Sequence, residues 1–147
     1  MQDRLKDEMK QAMRDREKVR LGTIRLILAA IKQREVDERI VLDDQQVLIV
    51  LDKMQKQRRE SIRQYRDASR EDLVAVEEAE VLIIQEFLPQ ALTEEEISSM
   101  VKAAIADSSA GSIKDMGKVM AILKPAMQGR ADMAVVSVKI KELLVGT

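Results

Sequence analysis

Along most of the 147 residues, apolar side chains return every three or four positions, the period of one face of a helix. Residues 2–16 set Leu5, Met9, Ala12 and Met13 on a narrow stripe among charges. Residues 18–35 set Leu21, Ile24, Leu28 and Ile31 on one face, which Ile27 and Ala30 widen, so this second helix should be well buried. Gly22 falls inside that pattern without breaking it. From Glu35 to Leu42 the period is lost. That stretch reads as a connection, with Asp43 or Asp44 capping the next helix. A long third helix is predicted from Asp44 to Ala68, with Val47, Leu51, Met54, Ile62 and Tyr65 along its apolar edge and Arg58 falling on that edge. Ser69, followed by Arg70, Glu71 and Asp72, looks like an N-cap with acids in the first turn. It would open a fourth helix to about Phe87, with Leu73, Val76, Ala79, Ile83 and Phe87 inward.

Leu88-Pro89 ends that helix, because the residue before a proline is pushed out of the α region. Gln90-Ala91-Leu92 reads as a linker, and Thr93 with Glu96 has capping-box spacing for a fifth helix over 94–107, with Ile97, Val101, Ala104 and Ile105 inward. After a loop at 108–111, Ser112 can cap a helix presenting Met116, Val119, Met120 and Leu123. Pro125 should kink or end it. Gly117 lies inside it, where a close-packed neighbour would offset the cost of glycine. Gly129 fits the residue just past a helix end, and Asp132 fits the cap of a last helix over 133–144, with Val136, Ile140, Leu143 and Leu144 inward. The expected fold is all-α: an N-terminal domain of about four helices (residues 1–91), then a small three-helix C-terminal tail domain (92–147).

Composition narrows the chemistry. There is no cysteine and no histidine, which removes the thiol nucleophile, the usual general base and the commonest metal ligand. Tyr65 and Phe87 are the only aromatics, while nine methionines help fill the core. With 25 basic and 26 acidic side chains the molecule has no strong overall field, so any nucleic-acid binding must come from a local patch. The N-terminus has no apolar leader and no apolar run is long enough to span a bilayer. A cytoplasmic protein is expected, with no membrane and no DNA as partner.

Two local patches stand out. At 100° per residue, Lys56, Arg59, Arg63, Arg66 and Arg70 fall within about 80° of arc on the third helix. Asp52, Glu60 and Asp67 lie beside them, so a salt-bridged solvent face is the plainer reading and a phosphate-contacting stripe the sharper one. In residues 108–147, six basic side chains face three acids, whereas residues 91–107 carry one base and four acids. There Lys114 and Lys118 share a face, and Lys124 and Arg130 flank the Gly-Arg-Ala-Asp corner, a rim suited to phosphates. A solvated surface is again the plainer alternative. The carboxylates of the fourth helix cluster at Glu77, Glu78, Glu80 and Glu86, and Glu77 with Glu80 could share a face, but no further residue completes a metal or acid–base site. No catalytic residue, metal or cofactor is expected.

The run KQRRESIRQYRDASREDLVAVEEAEVLIIQEFLPQALTEEEI (56–97) resembles the signature of the YqeY family, also called GatB/YqeY-domain proteins. Its marks are a basic helix, R-E-D-L, an E-x-x-E pair and an E-x-L-P ending. DMGKVM with LKPAMQGRADM (within 115–144) is similar to the tail domain that this family shares with the B subunit of the tRNA-dependent amidotransferase, and LKDEMKQAMRDREKVRLGTIRLILAAIKQRE to the family's opening helices. Met133 departs from the glycine common after the corner. The resemblance implies an all-helical protein with a small helical tail. It also implies a link to tRNA or a tRNA-handling enzyme, and kinship to carbon–nitrogen ligases that use glutamine as amido-N-donor. A shared domain is not a shared activity. The expectation is a tRNA-binding or amidotransferase-associated module without catalysis of its own. The alternatives are an adaptor that docks on a synthetase or amidotransferase, and a ligase activity. The expected RNA contacts are Lys114, Lys118, Lys124 and Arg130, with Lys56, Arg59, Arg63 and Arg66.

Overall fold

The structure, a computed structural model, describes residues 1–145. Among these residues there are seven α-helices, one short 3-10 turn and no strand. The chain divides into two compact units, Met1–Pro89 and Gln90–Thr147. The sequence had set a boundary after Ala91, and the last two residues of its C-terminal range lie outside the described residues.

The first unit contains α1 (Gln2–Arg14), α2 (Lys18–Glu38), α3 (Asp44–Asp67) and α4 (Glu71–Glu86). Helix α2 packs against α1, α3 and α4. Its buried face of Thr23, Ile24, Ile27 and Ile31 meets Leu5, Val47, Leu51, Ile84 and Phe87. Burying such aliphatic and aromatic side chains stabilises by about 1.5–3 kcal/mol each. Phe87, 1% exposed, has the guanidinium of Arg4 4.9 Å from its ring centroid and that of Arg20 at 5.9 Å. Arg20 also reaches Glu8 at 2.9 Å and pairs with Glu86, tying α1, α2 and the end of α4 together. A smaller cluster of Ile62, Val74 and Val81, with half-buried Tyr65 packed on it, fills the seam between α3 and α4.

Several helix ends differ from expectation for one reason. The stretch from Glu35 to Glu38, read as connection, is helix; α2 stops at Arg39, whose φ of 54° is left-handed, with Ile40 N–H donating to the Glu35 carbonyl at 3.1 Å. Ser69 does not cap α4: its φ is 56°, the Arg70 N–H closes back on the Tyr65 carbonyl at 2.8 Å, and Arg70 takes the cap position without a side-chain bond. Arg16 and Ser109 sit in the same conformation. These are helix stops made without glycine, each against the Cβ clash that makes the left-handed region unfavourable. Beyond Arg39, the Glu35 carboxylate accepts from the Leu42 N–H at 2.8 Å and from Gln2 Nε2 at 3.1 Å; these bonds hold its carboxyl below the ordinary range and fasten the connection. Asp43 is the cap of α3, in a complete capping box with Gln46.

The inward face of α4 is also corrected. Val74, Val81, Ile84 and Phe87 are buried, whereas Val76 is 55% exposed. Helix α4 serves α3 on one side and α2 on another, so its buried arc is wide and rotated from the stripe first drawn. Met13 on α1 is likewise exposed.

The second unit contains α5 (Glu94–Ser108), a 3-10 turn at Ile113–Asp115, α6 (Met116–Met127) and α7 (Met133–Val145). Val101, Ala104, Val119, Leu123, Met127, Val136, Ile140 and Leu144 form its core. Thr93 Oγ1 accepts from the Glu96 N–H at 3.1 Å, and Asp132 from the Ala134 N–H at 3.0 Å, so both expected caps are made. Gly129 has φ 76° just beyond α6. Pro125 does not end α6, which continues to Met127. Only the donor toward the Ala121 carbonyl is lost, and Ala121 is exposed, so water can take its place. Ser112 makes no side-chain cap; instead the Gly111 N–H donates to Asp115 at 3.0 Å. Gly117 packs against nothing: a Cβ there would have no neighbour within 4 Å.

Candidate binding surfaces

The cations singled out in the sequence fall into two groups that differ in how they are held. Helices α3 and α4 are joined by the short corner at 68–70 and pack side by side. Along one flank of this pair runs an open groove of about 510 Å3 lined by Arg59, Arg63 and Arg66 of α3 and by Glu78, Leu82 and Gln85 of α4. Ile62 and Val81 make its floor. The spacing of four and three residues brings the three guanidinium groups to the same flank of α3.

These arginines are partly engaged. Arg66 pairs with Glu78 across the groove, and Arg63 reaches Glu60 at 3.1 Å while its side chain stays 75% exposed. Arg59 makes no ion pair with any described residue. Lys56 lies outside the groove lining and pairs at 3.2 Å with the buried Asp52, to which Gln55 also donates at 2.9 Å.

Arg58, the basic residue on the apolar edge of α3, meets Glu80 at 2.8 Å, with both side chains mostly covered. Glu77 lies near this pair; burial, then the charge of Glu80, pushes its carboxyl above the ordinary range, and Arg58 opposes the shift. The sequence had flagged Glu77 and Glu80 as a conceivable acid–base pair. In the structure Glu80 is the counter-ion of Arg58, and among the described residues no three His, Cys, Asp or Glu side chains gather as a metal set.

The second group lies on α6 and the turn before it. Lys114, Lys118 and Lys124 are all exposed, as are Gly117, Ala121, Ile122 and Pro125. Lys118 is 3.6 Å from Asp115, at 69% exposure; Lys114 and Lys124 make no ion pair with any described residue. The Gly111 N–H, followed by Lys118, keeps the Asp115 carboxyl below its ordinary range. Arg130 is held differently. Its Nε donates to the Gln90 carbonyl at 3.2 Å and its own carbonyl accepts from the Leu92 N–H at 2.9 Å, clamping 90–92 to the corner after α6. The structure therefore brings Arg59, Arg63 and Arg66 into one groove and leaves Lys114, Lys118 and Lys124 exposed to solvent. It gives Lys56 and Arg130 structural partners.

Leu82 and Gln85 were not singled out from the sequence. Their place in the groove follows from the true phase of α4, which the dense apolar run at 81–84 conceals. No helix among the described residues is long and apolar enough to cross a membrane.

A family model described as Yqey-like protein matches residues 2–144. Among curated proteins, the chain is 34% identical over 144 residues to "Altered inheritance of mitochondria protein 41, mitochondrial" of Pyrenophora tritici-repentis, covering 96% of this chain and 79% of that protein. The protein of the same name from Vanderwaltozyma polyspora is 38% identical over 85 residues, covering 57% of this chain and 46% of its own length. That from Eremothecium gossypii is 39% identical over 95 residues, with 62% and 52% covered. The chain thus spans about half the length of these last two relatives. The names correct the cytoplasmic expectation: these relatives are mitochondrial proteins. A charge-balanced helical chain without an apolar run is as compatible with a mitochondrial compartment as with the cytoplasm.

Proposed function

The chain belongs to the YqeY-like family, and from that premise we propose that it is an RNA-binding module, with tRNA as its substrate class and no catalysis of its own. The observation that carries this reading is the open edge of α6. Lys114, Lys118 and Lys124 are all exposed along α6 and the turn before it, and Lys114 and Lys124 have no carboxylate partner among the described residues. Ammonium groups of this kind bind phosphate oxygens and release counter-ions, without reading bases. Gly117 and Ala121 between them leave the helix backbone open to close approach, which accounts for a glycine that serves no packing in the fold. With no aromatic in residues 90–147, recognition would run through backbone and shape, as for folded RNA. The tail-domain resemblance to the amidotransferase B subunit favours tRNA over other folded RNAs.

The test is a fluorescence-anisotropy titration of labelled tRNA at several salt concentrations. The wild-type chain should bind with affinity that falls steeply with salt. Replacing Lys114, Lys118 and Lys124 together by alanine should weaken binding at least tenfold and flatten the log–log salt slope by about one per lysine. Equal binding by the triple variant, or no binding at low salt, overturns the reading. A protein partner is a second reading, and the groove between α3 and α4 favours it.

A further inference from the structure

We propose that the groove between α3 and α4 is a docking slot for an acidic amphipathic helix of a protein partner. Its chemistry is two-sided. Arg59, Arg63 and Arg66 form a cationic wall on α3, and across the apolar floor of Ile62 and Val81 stands Leu82, 65% exposed. A leucine so open beside three guanidinium groups is of no use to a phosphate backbone, and the groove holds no aromatic on which a base could stack. An amphipathic segment answers both features. Its Leu, Ile or Met side chains would cover Leu82 and the floor, and its carboxylates would take the arginine forks, which match a carboxylate bidentately.

The dimensions agree. From Arg59 to Arg66 is seven residues, about 10.5 Å of helix at 1.5 Å per residue, which is the reach of i, i+4 and i+7 anchors on a partner helix. A volume of about 510 Å3 is within the range of sites that bury a few side chains or a small ligand. The intramolecular partners already present, Glu78 on Arg66 and Glu60 on Arg63, occupy the guanidinium groups in the way an incoming acidic face would. Glu78 and Glu60 are themselves about half exposed, so when an incoming carboxylate displaces them they can turn back into water. Arg59, without an ion pair among the described residues, is open to the first contact. This slot is separate from the lysine edge of α6, and the proposal stands whether or not that edge binds RNA.

The experiment pans a phage-displayed library of random 16-residue peptides on the full chain, then measures the enriched peptides by anisotropy. The expected result is enrichment of sequences with Asp or Glu on one helical face and Leu, Ile or Met at i, i+4 and i+7. Their affinity should fall at least tenfold in Arg63→Glu and in Leu82→Ser, two exposed positions at which the fold is retained, checked by circular dichroism. The α6 triple-alanine chain should bind the peptides as the wild type does. No enrichment over a protein-free surface, or enriched peptides that bind both groove variants unchanged, overturns the proposal. A 20-nucleotide poly(U) whose binding is lost in the same two variants assigns the groove to RNA and also overturns it. Loss of tRNA binding in the α6 triple alone bears on the other reading, so the two can fail separately.

Discussion

The two units use positive charge in opposite ways. Twelve of the thirteen arginines lie in residues 1–89, while lysine is divided six and six, so the distinction is one of kind rather than of amount. In the first unit Arg20, Arg34, Arg58, Arg63, Arg66 and Arg70 are each bound to a carboxylate. In the second unit, Lys118 with Asp115 is the one ion pair among the described residues. A planar guanidinium with five donors can be built into a seam between helices, whereas a compact, strongly hydrated ammonium loses more than it gains by leaving water. Arg20, Arg58 and Arg66 of the first unit thus serve as cross-links between helices, whereas Lys114 and Lys124 of the second stay in water without an ion pair among the described residues.

The sharpest way to break this comparison is to ask whether the units are also separate in stability. Phe87→Ala should cost about 3–5 kcal/mol, felt in the first unit's helices by hydrogen exchange while α5 to α7 keep their protection. Equal loss in both would mean that one cooperative body hides the contrast. Next in size is the covered pair: Glu80→Ala leaves the Arg58 charge without its partner and should cost about 1–3 kcal/mol in urea unfolding. Lys124→Ala, at an exposed position, should stay within about 0.5 kcal/mol. Substituting Arg58 by lysine should lose part of that stability in the same urea series, because the ammonium lacks the planar fork of the guanidinium.

A smaller effect comes from the left-handed stops. Arg39→Gly should raise stability by about 1 kcal/mol, because a glycine has no Cβ to clash at φ 54°. The smallest effect is one of sign. The folded Glu77 carboxyl lies above the 4.5 of the free side chain, so its contribution is whole below about pH 4.5 and is lost as pH rises through the raised value. Glu77→Gln should therefore raise the urea midpoint at neutral pH and leave it unchanged in acid. Asp115 in the second unit is shifted down from 3.8, so its contribution is present above that value and lost as pH falls through the folded one. A pH series on Asp115→Asn should show the opposite slope.

Much of the helical order was legible because spacing and caps agree. Asp43, Thr93 and Asp132 cap where hydrogen-bonding side chains precede apolar periods, and Gly129 stops where only glycine is at ease. The stops at Arg39 and Ser69 were not legible, since neither residue signals a left-handed backbone. The face of α4 was misread because apolar residues occupy nearly every side of 73–84, and only packing against both α2 and α3 selects among them. The cationic stripes could be drawn on a helical wheel. Which members line a groove, and which serve as counter-ions, depends on the neighbouring helix and is not written in the spacing.

The thin aromatic content has a practical side. Tyr65 is the one tyrosine, there is no tryptophan, and Tyr65 rests on the Ile62, Val74 and Val81 cluster from which the groove floor is made. The protein therefore carries a single native fluorophore of any strength, set beside the place where a partner helix is expected. The second unit is optically dark. Tyrosine emission reports on the first unit alone, and any tryptophan introduced along α6 would be read with no background of its own kind.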